Sequence, residues 1–241
     1  EKYQQYLQLL AEDFPGAIDF RVAETPVFIG RGFKKKMLDT CQYIIKTIQN
    51  PDYLAQTEKA IPKELRVPGA EGRPHFLIFD FGVCMDQAGK YTPMLIEMQG
   101  FPTLFAYQLH QYQAAQKAYD LPEAFSPFLN GFDHESVLKL LNSILKGDND
   151  GNIGGAKTDQ QAVPQHTVLL EIFPEKQKTR IDFLYTEKYL GVPTVCLTEL
   201  IEERQNLYYE RGGKRIKIDR IYNRLIFDEL TRQTKEIQDK A

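Results

Sequence analysis

Asp80 interrupts the apolar run at 75–83 (HFLIFDFGV), and Glu97 interrupts a second run at 92–99 (TPMLIEMQ). A charged side chain inside an apolar strand costs free energy unless it is paired, protonated or bound to a cation. Asp86-Gln87-Ala88-Gly89 between the runs is a turn signal, so the two are expected to pair as a β-hairpin. Side chains alternate along a strand, which puts Gln99 on the face of Glu97 and lets Asp80 share that face across the hairpin. Two carboxylates and an amide oxygen converging there form a hard-oxygen donor set. Such a set suits magnesium (Mg2+), which keeps waters and phosphate oxygens as its remaining ligands. The competing reading has Asp80 capping the turn and Glu97 paired with Arg73 or Lys90. The combination with Gln99 and the Gly100-Phe101-Pro102 break favours the metal site.

Other candidate motifs fail on spacing. GNIGGAKT at 151–158 has Ala156 where a phosphate-binding loop needs Gly directly before Lys. DNDGN at 148–152 sets Asp148, Asp150 and Asn152 at alternate positions, but Ile153 stands where a calcium loop turns on Gly, and Asp159 where it uses Glu. No GxSxG occurs, and His75, His110, His134 and His166 pair with no evident Ser or Cys nucleophile. They read as surface or interface histidines. Arg31, Lys34, Lys35 and Lys36 read as a solvated helix start.

Composition narrows the function classes. With 241 residues, 42% hydrophobic and 26% charged, the chain has the make-up of a soluble globular protein of one large domain or two modest ones. A net charge of −3 and a pI near 5.9 argue against general affinity for nucleic acid or anionic membrane. No run approaches the roughly 18 apolar residues of a membrane span, and no basic-then-apolar leader is seen. Cys41, Cys84 and Cys196 are scattered without CxxC or Cys/His spacing. They are expected to be reduced thiols of a cytoplasmic protein, with Cys84 and Cys196 packed in strand cores.

The elements that must position the acids follow from periodicity. Helices are expected at 1–12, 34–49, 104–119 with Thr103 as N-cap, and 134–145. The polar stretch 147–166 reads as a linker. Beyond it come a strand at 167–173, a helix at 179–190, a strand at 194–197 and a short helix at 199–203. A hairpin around Gly212-Gly213 and a strand at 219–226 complete the order. Strand–helix–strand succession predicts a parallel, Rossmann-like α/β unit at 167–241 after a first domain at 1–146.

IFDFG at 78–82 and LIEMQGFPTL at 95–104 resemble the ATP-grasp ligases, most closely the circularly permuted branch that includes glutathionylspermidine synthase. That branch carries an aspartate in an "fDf" run, then "lE.N" and "PT.L". The stretch 197–226 (LTELIEERQNLYYERGGKRIKIDRIYNRLI) is similar to the branch's Rossmann-like substrate domain, with Asp219, Tyr222 and Arg224 in the corresponding places. The resemblance implies an α/β protein whose ATP-grasp-like α+β portion bears the acidic hairpin and precedes a Rossmann-like (pre-ATP-grasp) unit. It implies Asp80, Glu97 and Gln99 as ligands of magnesium bridging ATP phosphates, and Asp219 and Arg224 as substrate-binding residues. It further implies amide-bond formation between a small-molecule or peptide carboxylate and an amine, through an acyl phosphate.

Two positions and one segment length depart from the pattern. Ile78 stands where the branch has Arg, Gln99 replaces Asn, and the segment before Pro102 is one residue shorter. No later strand carries the ATP-clamping lysines and glycine-rich loop, so the chain is expected to be the N-terminal part of a longer ligase. Two other readings stay open: a non-catalytic ATP-grasp relative acting as a binding or scaffold protein, and a magnesium-dependent nuclease using Asp80, Glu97 and Gln99. The acidic net charge and the Gln in the usual lysine place weigh against the nuclease.

Overall fold

A computed structural model of the chain describes residues 1–63, 66, 74–101, 104–147 and 166–241. In chain order the first helices are α1 (Lys2–Ala11), α2 (Arg31–Ile48) and α3 (Pro51–Thr57), followed by strands β1 (Ile78–Met85) and β2 (Tyr91–Gln99). Helices α4 (Phe105–Ala118) and α5 (His134–Lys146) come next, then β3 (Thr167–Glu171), α6 (Arg180–Leu190) and β4 (Thr194–Cys196). The chain ends with β5 (Ile201–Glu203), β6 (Asn206–Arg211), β7 (Lys214–Ile218), β8 (Arg220–Asn223), α7 (Phe227–Leu230) and α8 (Lys235–Gln238). The fold is mixed α/β and divides into two compact units, one of Glu1–Pro26 with Thr103–Ala241 and one of Val27–Pro102. Among the described residues no helix is long and apolar enough to cross a membrane.

In the first unit β3 is the centre of a parallel sheet of order β4-β3-β8. All of β3 (TVLLE) is buried, which explains an apolar run without the alternation of a one-faced strand. The segment between β3 and β4 contains α6, the kind of crossover that parallel neighbours require. Strands β5, β6 and β7 form an antiparallel sheet, and β6 turns into β7 through Gly212 and Gly213, both at positive φ. A two-residue hairpin turn of this hand needs positive φ at both positions, which glycine adopts freely. Val168, Val195, Tyr209 and Ile218 join the two sheets in one apolar cluster.

Helix α4 packs on both α1 and α6. Its buried residues include Ala106, Ala114, Ala115 and Ala118, small side chains that let the neighbouring helices approach closely, beside the larger Tyr107 and Leu109. Tyr6 and Leu10 of α1 and Ile181 and Tyr185 of α6 fill the seam, each large apolar side chain contributing roughly 1.5–3 kcal/mol by burial. His110 lies there too, stacked on Tyr185 with ring centres 4.1 Å apart and its Nε2 3.2 Å from the Leu9 carbonyl. Helix α5 starts with a capping box, in which Asp133 accepts the Ser136 N–H and Ser136 Oγ accepts the Asp133 N–H. It stops at Gly147, φ 72°, where a Cβ would stand 2.7 Å from Arg220 Nη1.

The second unit is built from α2, α3 and the antiparallel hairpin β1–β2, with α2 against β2. The hairpin forms where the sequence predicts it, but its environment differs. None of the described residues of this unit is buried, and Val83, Met85, Tyr91, Met94 and Ile96 are exposed. A two-stranded sheet with one helix to cover it cannot enclose two apolar faces. Cys84 is therefore exposed, contrary to the expected core role, whereas Cys196 is buried.

Other expectations are also redrawn. Residues 199–203 form no single helix: a 3-10 turn at Leu197–Glu199 leads into β5, whose residues pair with β6. The units do not divide at the expected 146/167 boundary, because the alanine face of α4 binds α6 across the linker and draws 104–146 into the first unit. Most of that linker, 148–165, lies outside the described residues, as do Arg73 and the expected cap Thr103.

Candidate functional site

The hairpin register places Asp80 directly opposite Glu97 and Ile78 opposite Gln99. Directly opposed side chains in an antiparallel pair share a face, and the two-residue period brings Gln99 onto it. The three predicted donors therefore occupy one face of one hairpin. Asp80 and Gln99 are half-buried and Glu97 is exposed. A bulge follows immediately: Phe81 pairs with Leu95, leaving Ile96 without a partner and 71% exposed. Bulges of this kind twist a strand and re-aim the side chains beside them.

No cation among the described residues pairs with the charges on this face. Among the described residues the side chain of neither Asp80 nor Glu97 has an ion pair or hydrogen bond, and Lys90 is not paired with Glu97. The turn is organised by Asp86 and not by Asp80: Asp86 Oδ1 accepts the N–H groups of Ala88 and Lys90, both at 2.9 Å. Like charges directly opposite each other on a sheet are destabilising by a few tenths to about 1 kcal/mol, which a cation between them removes. Among the described residues no group of three or more His, Cys, Asp or Glu side chains is gathered for metal binding. The hairpin set reaches three donors only through the amide oxygen of Gln99. Its chemistry, two carboxylates and a neutral oxygen, fits a hard divalent cation.

In the first unit, Asp219 and Arg224 stand at opposite ends of β8. Asp219 precedes the strand and accepts the His166 N–H at 3.2 Å, while its own N–H donates to the His166 carbonyl at 2.9 Å. Arg224 follows the strand, where its N–H donates to the Leu170 carbonyl at 2.9 Å and its guanidinium lies over the Phe183 ring. The two predicted substrate residues are not brought together, and Arg224 is only 3% exposed.

The carboxyl end of the sheet holds polar groups that sequence inspection passed over. Glu171, 4% exposed, ends β3, and burial pushes its carboxyl up to about 7, against the lowering effect of the Ile172 N–H that it accepts. Asp182, 1% exposed, sits on α6 and accepts the Tyr107 N–H at 2.9 Å, so it caps the first turn of α4 from another helix. Burial raises its pKa while the backbone donors of α4 and the charge of Arg224 lower it. Phe173, directly after β3, adopts φ 45° and ψ 60°, with its N–H donated to Cys196 Sγ at 3.3 Å. A left-handed aromatic residue is strained by the order of 1 kcal/mol or more, and such strain gathers at functional sites. The signal for the two acids was present: each interrupts an apolar run (VLLE, RIDFLY), as Asp80 does. No family model matches this chain, and no curated protein matches it.

Proposed function

We propose that the chain is part of a magnesium- and ATP-dependent ligase of the ATP-grasp type, joining a carboxylate to an amine through an acyl phosphate. The supporting observation is the cross-strand pair Asp80–Glu97, with no ion pair among the described residues and with Gln99 on the same face. In this reading Asp80 and Glu97 hold magnesium by charge and Gln99 by its amide oxygen, on a rigid backbone ladder that sets their spacing. Magnesium supplies charge neutralisation on ATP phosphate oxygens during phosphoryl transfer. The ladder register sets Glu97 opposite Asp80, with the bulge at Ile96 directly beside the pair.

The parallel sheet of the first unit is, in the same reading, the Rossmann-like substrate half. Ligands of such sheets bind beyond the carboxyl ends of the strands. Arg224 stands at that end and supports it from within, whereas Asp219 at the other end fixes the start of β3 through His166. The reading places the protein in the cytoplasm, where its thiols stay reduced.

Titration calorimetry of magnesium-ATP tests the assignment. The ligase reading expects magnesium-dependent ATP binding that Asp80→Asn abolishes. Wild-type affinity in Asp80→Asn removes Asp80 from the site. Metal-dependent cleavage of DNA points instead to a nuclease, and binding of neither ATP nor DNA points to a scaffold.

A further inference from the structure

In the sheet β4-β3-β8 the chain leaves β3 toward β4 on one side, and β8 lies on the other. The segments that follow β3 and β8 leave the carboxyl ends of two neighbouring parallel strands, the edge at which open α/β sheets bind ligands. A crevice of about 290 Å³ lies there, between residues 172–177 after β3 and residues 229–233 after β8. Small-molecule sites start at roughly this size.

The lining is built and charged. Gln177 Nε2 donates both to the Ile172 carbonyl at 3.0 Å and to Glu229 Oε2 at 3.1 Å, tying the two walls together. Gln233 Nε2 donates to the Glu229 carbonyl at 3.3 Å, bracing the second wall. Phe173 holds its left-handed backbone at the mouth, with Lys176 Nζ 4.6 Å from its ring centre. Lys176 and Arg232 both line the crevice, and among the described residues neither has an ion pair or a side-chain hydrogen bond. Glu229, the carboxylate of the lining, is already engaged by Gln177. The lining thus offers two cations without ion pairs among the described residues and one carboxylate held to the wall by a neutral amide, a net positive space for one small ligand.

The geometry points to an oxyanion-binding site in this crevice, with Lys176 and Arg232 as the groups that hold a carboxylate or phosphate of a small ligand. Arg232 supplies a planar fork matched to either oxyanion, and Lys176 a mobile point charge. The site requires neither magnesium nor ATP, so it stands or falls separately from the hairpin.

The test is titration of the magnesium-free protein with inorganic phosphate in one arm and succinate in the other, followed by backbone amide chemical shifts. Saturable shifts at residues 173–177 and 229–233, at concentrations up to about 10 mM, are the expected result. The arm that saturates at the lower concentration identifies the oxyanion class. Lys176→Ala and Arg232→Ala are each expected to weaken binding about tenfold, with the melting temperature unchanged because both side chains are exposed. Absence of saturable shifts in both arms, or shifts that persist unaltered in the double variant, would overturn the proposal.

Discussion

Asp80 and Glu97 face each other across the β1–β2 ladder, and among the described residues no cation pairs with either. Removing one charge should therefore have opposite effects with and without magnesium. In metal-free buffer, Asp80→Asn is expected to stabilise the hairpin by about 0.2–1 kcal/mol, the size of a like-charge cross-strand repulsion. In excess magnesium the wild type should gain stability, by about 2.7 kcal/mol at a hundredfold excess over Kd, and the variant should not. Thermal melts of both proteins at matched ionic strength, with and without magnesium, make the comparison. An equal response of the two would sink the metal site.

Glu171 gives a pH signature. Its folded value is about 7 against 4.5 for the free side chain, so between these values the folded protein keeps a proton that the unfolded chain releases. Stability from this group is full below about pH 4.5 and falls as pH rises toward 7, by roughly 3 kcal/mol in all. His110 acts in the reverse sense: burial lowers its pKa, so its stabilisation is lost as pH falls below 6.5. Comparing wild type with Glu171→Gln cancels the His110 part. The difference in denaturant stability should grow in favour of the Gln variant from pH 5 to pH 8, and a flat difference would contradict the burial of the carboxylate.

Asp182 caps α4 with an oxygen and not with an obligatory charge. Asp182→Asn keeps that acceptor and is expected to stay within about 1 kcal/mol of wild type. Asp182→Ala leaves the Tyr107 N–H buried without its partner and is expected to cost about 2–4 kcal/mol. For a unit of this size that lowers the melting temperature by roughly 5–15 °C in circular dichroism.

The cysteines report the two environments directly. Cys84 should be alkylated rapidly in the native protein, and Cys196 on the order of a thousandfold more slowly, through opening of the sheet. Peptide mass mapping after a short pulse of iodoacetamide distinguishes them. Comparable labelling of both would place Cys196 outside the core.

How much of this was legible in the sequence differs by residue. The hairpin and the shared face of Asp80, Glu97 and Gln99 follow from alternation and one turn signal, which are local. The exposure of Val83, Cys84 and Met85 does not, because an apolar strand looks the same whether or not anything covers it. Asp182 showed in the sequence as a break in an apolar run, but its capping role did not: its partner is 75 residues away, and Thr103 offered a local cap for the same helix. Phe173 gave no warning, since a left-handed backbone is expected at Gly or Asn.

The cap between α6 and α4 also orders events during synthesis. The start of α4 leaves the ribosome before Asp182 exists. At about 5–20 residues per second it waits roughly 4–15 s for the 75 intervening residues. Bringing those ends together then costs about 4 kcal/mol of loop-closure entropy, so the first turn of α4 gains its cap only when α6 docks. Nascent chains shorter than the end of α6 should accordingly show a frayed α4, and the alanine seam should close in one late step.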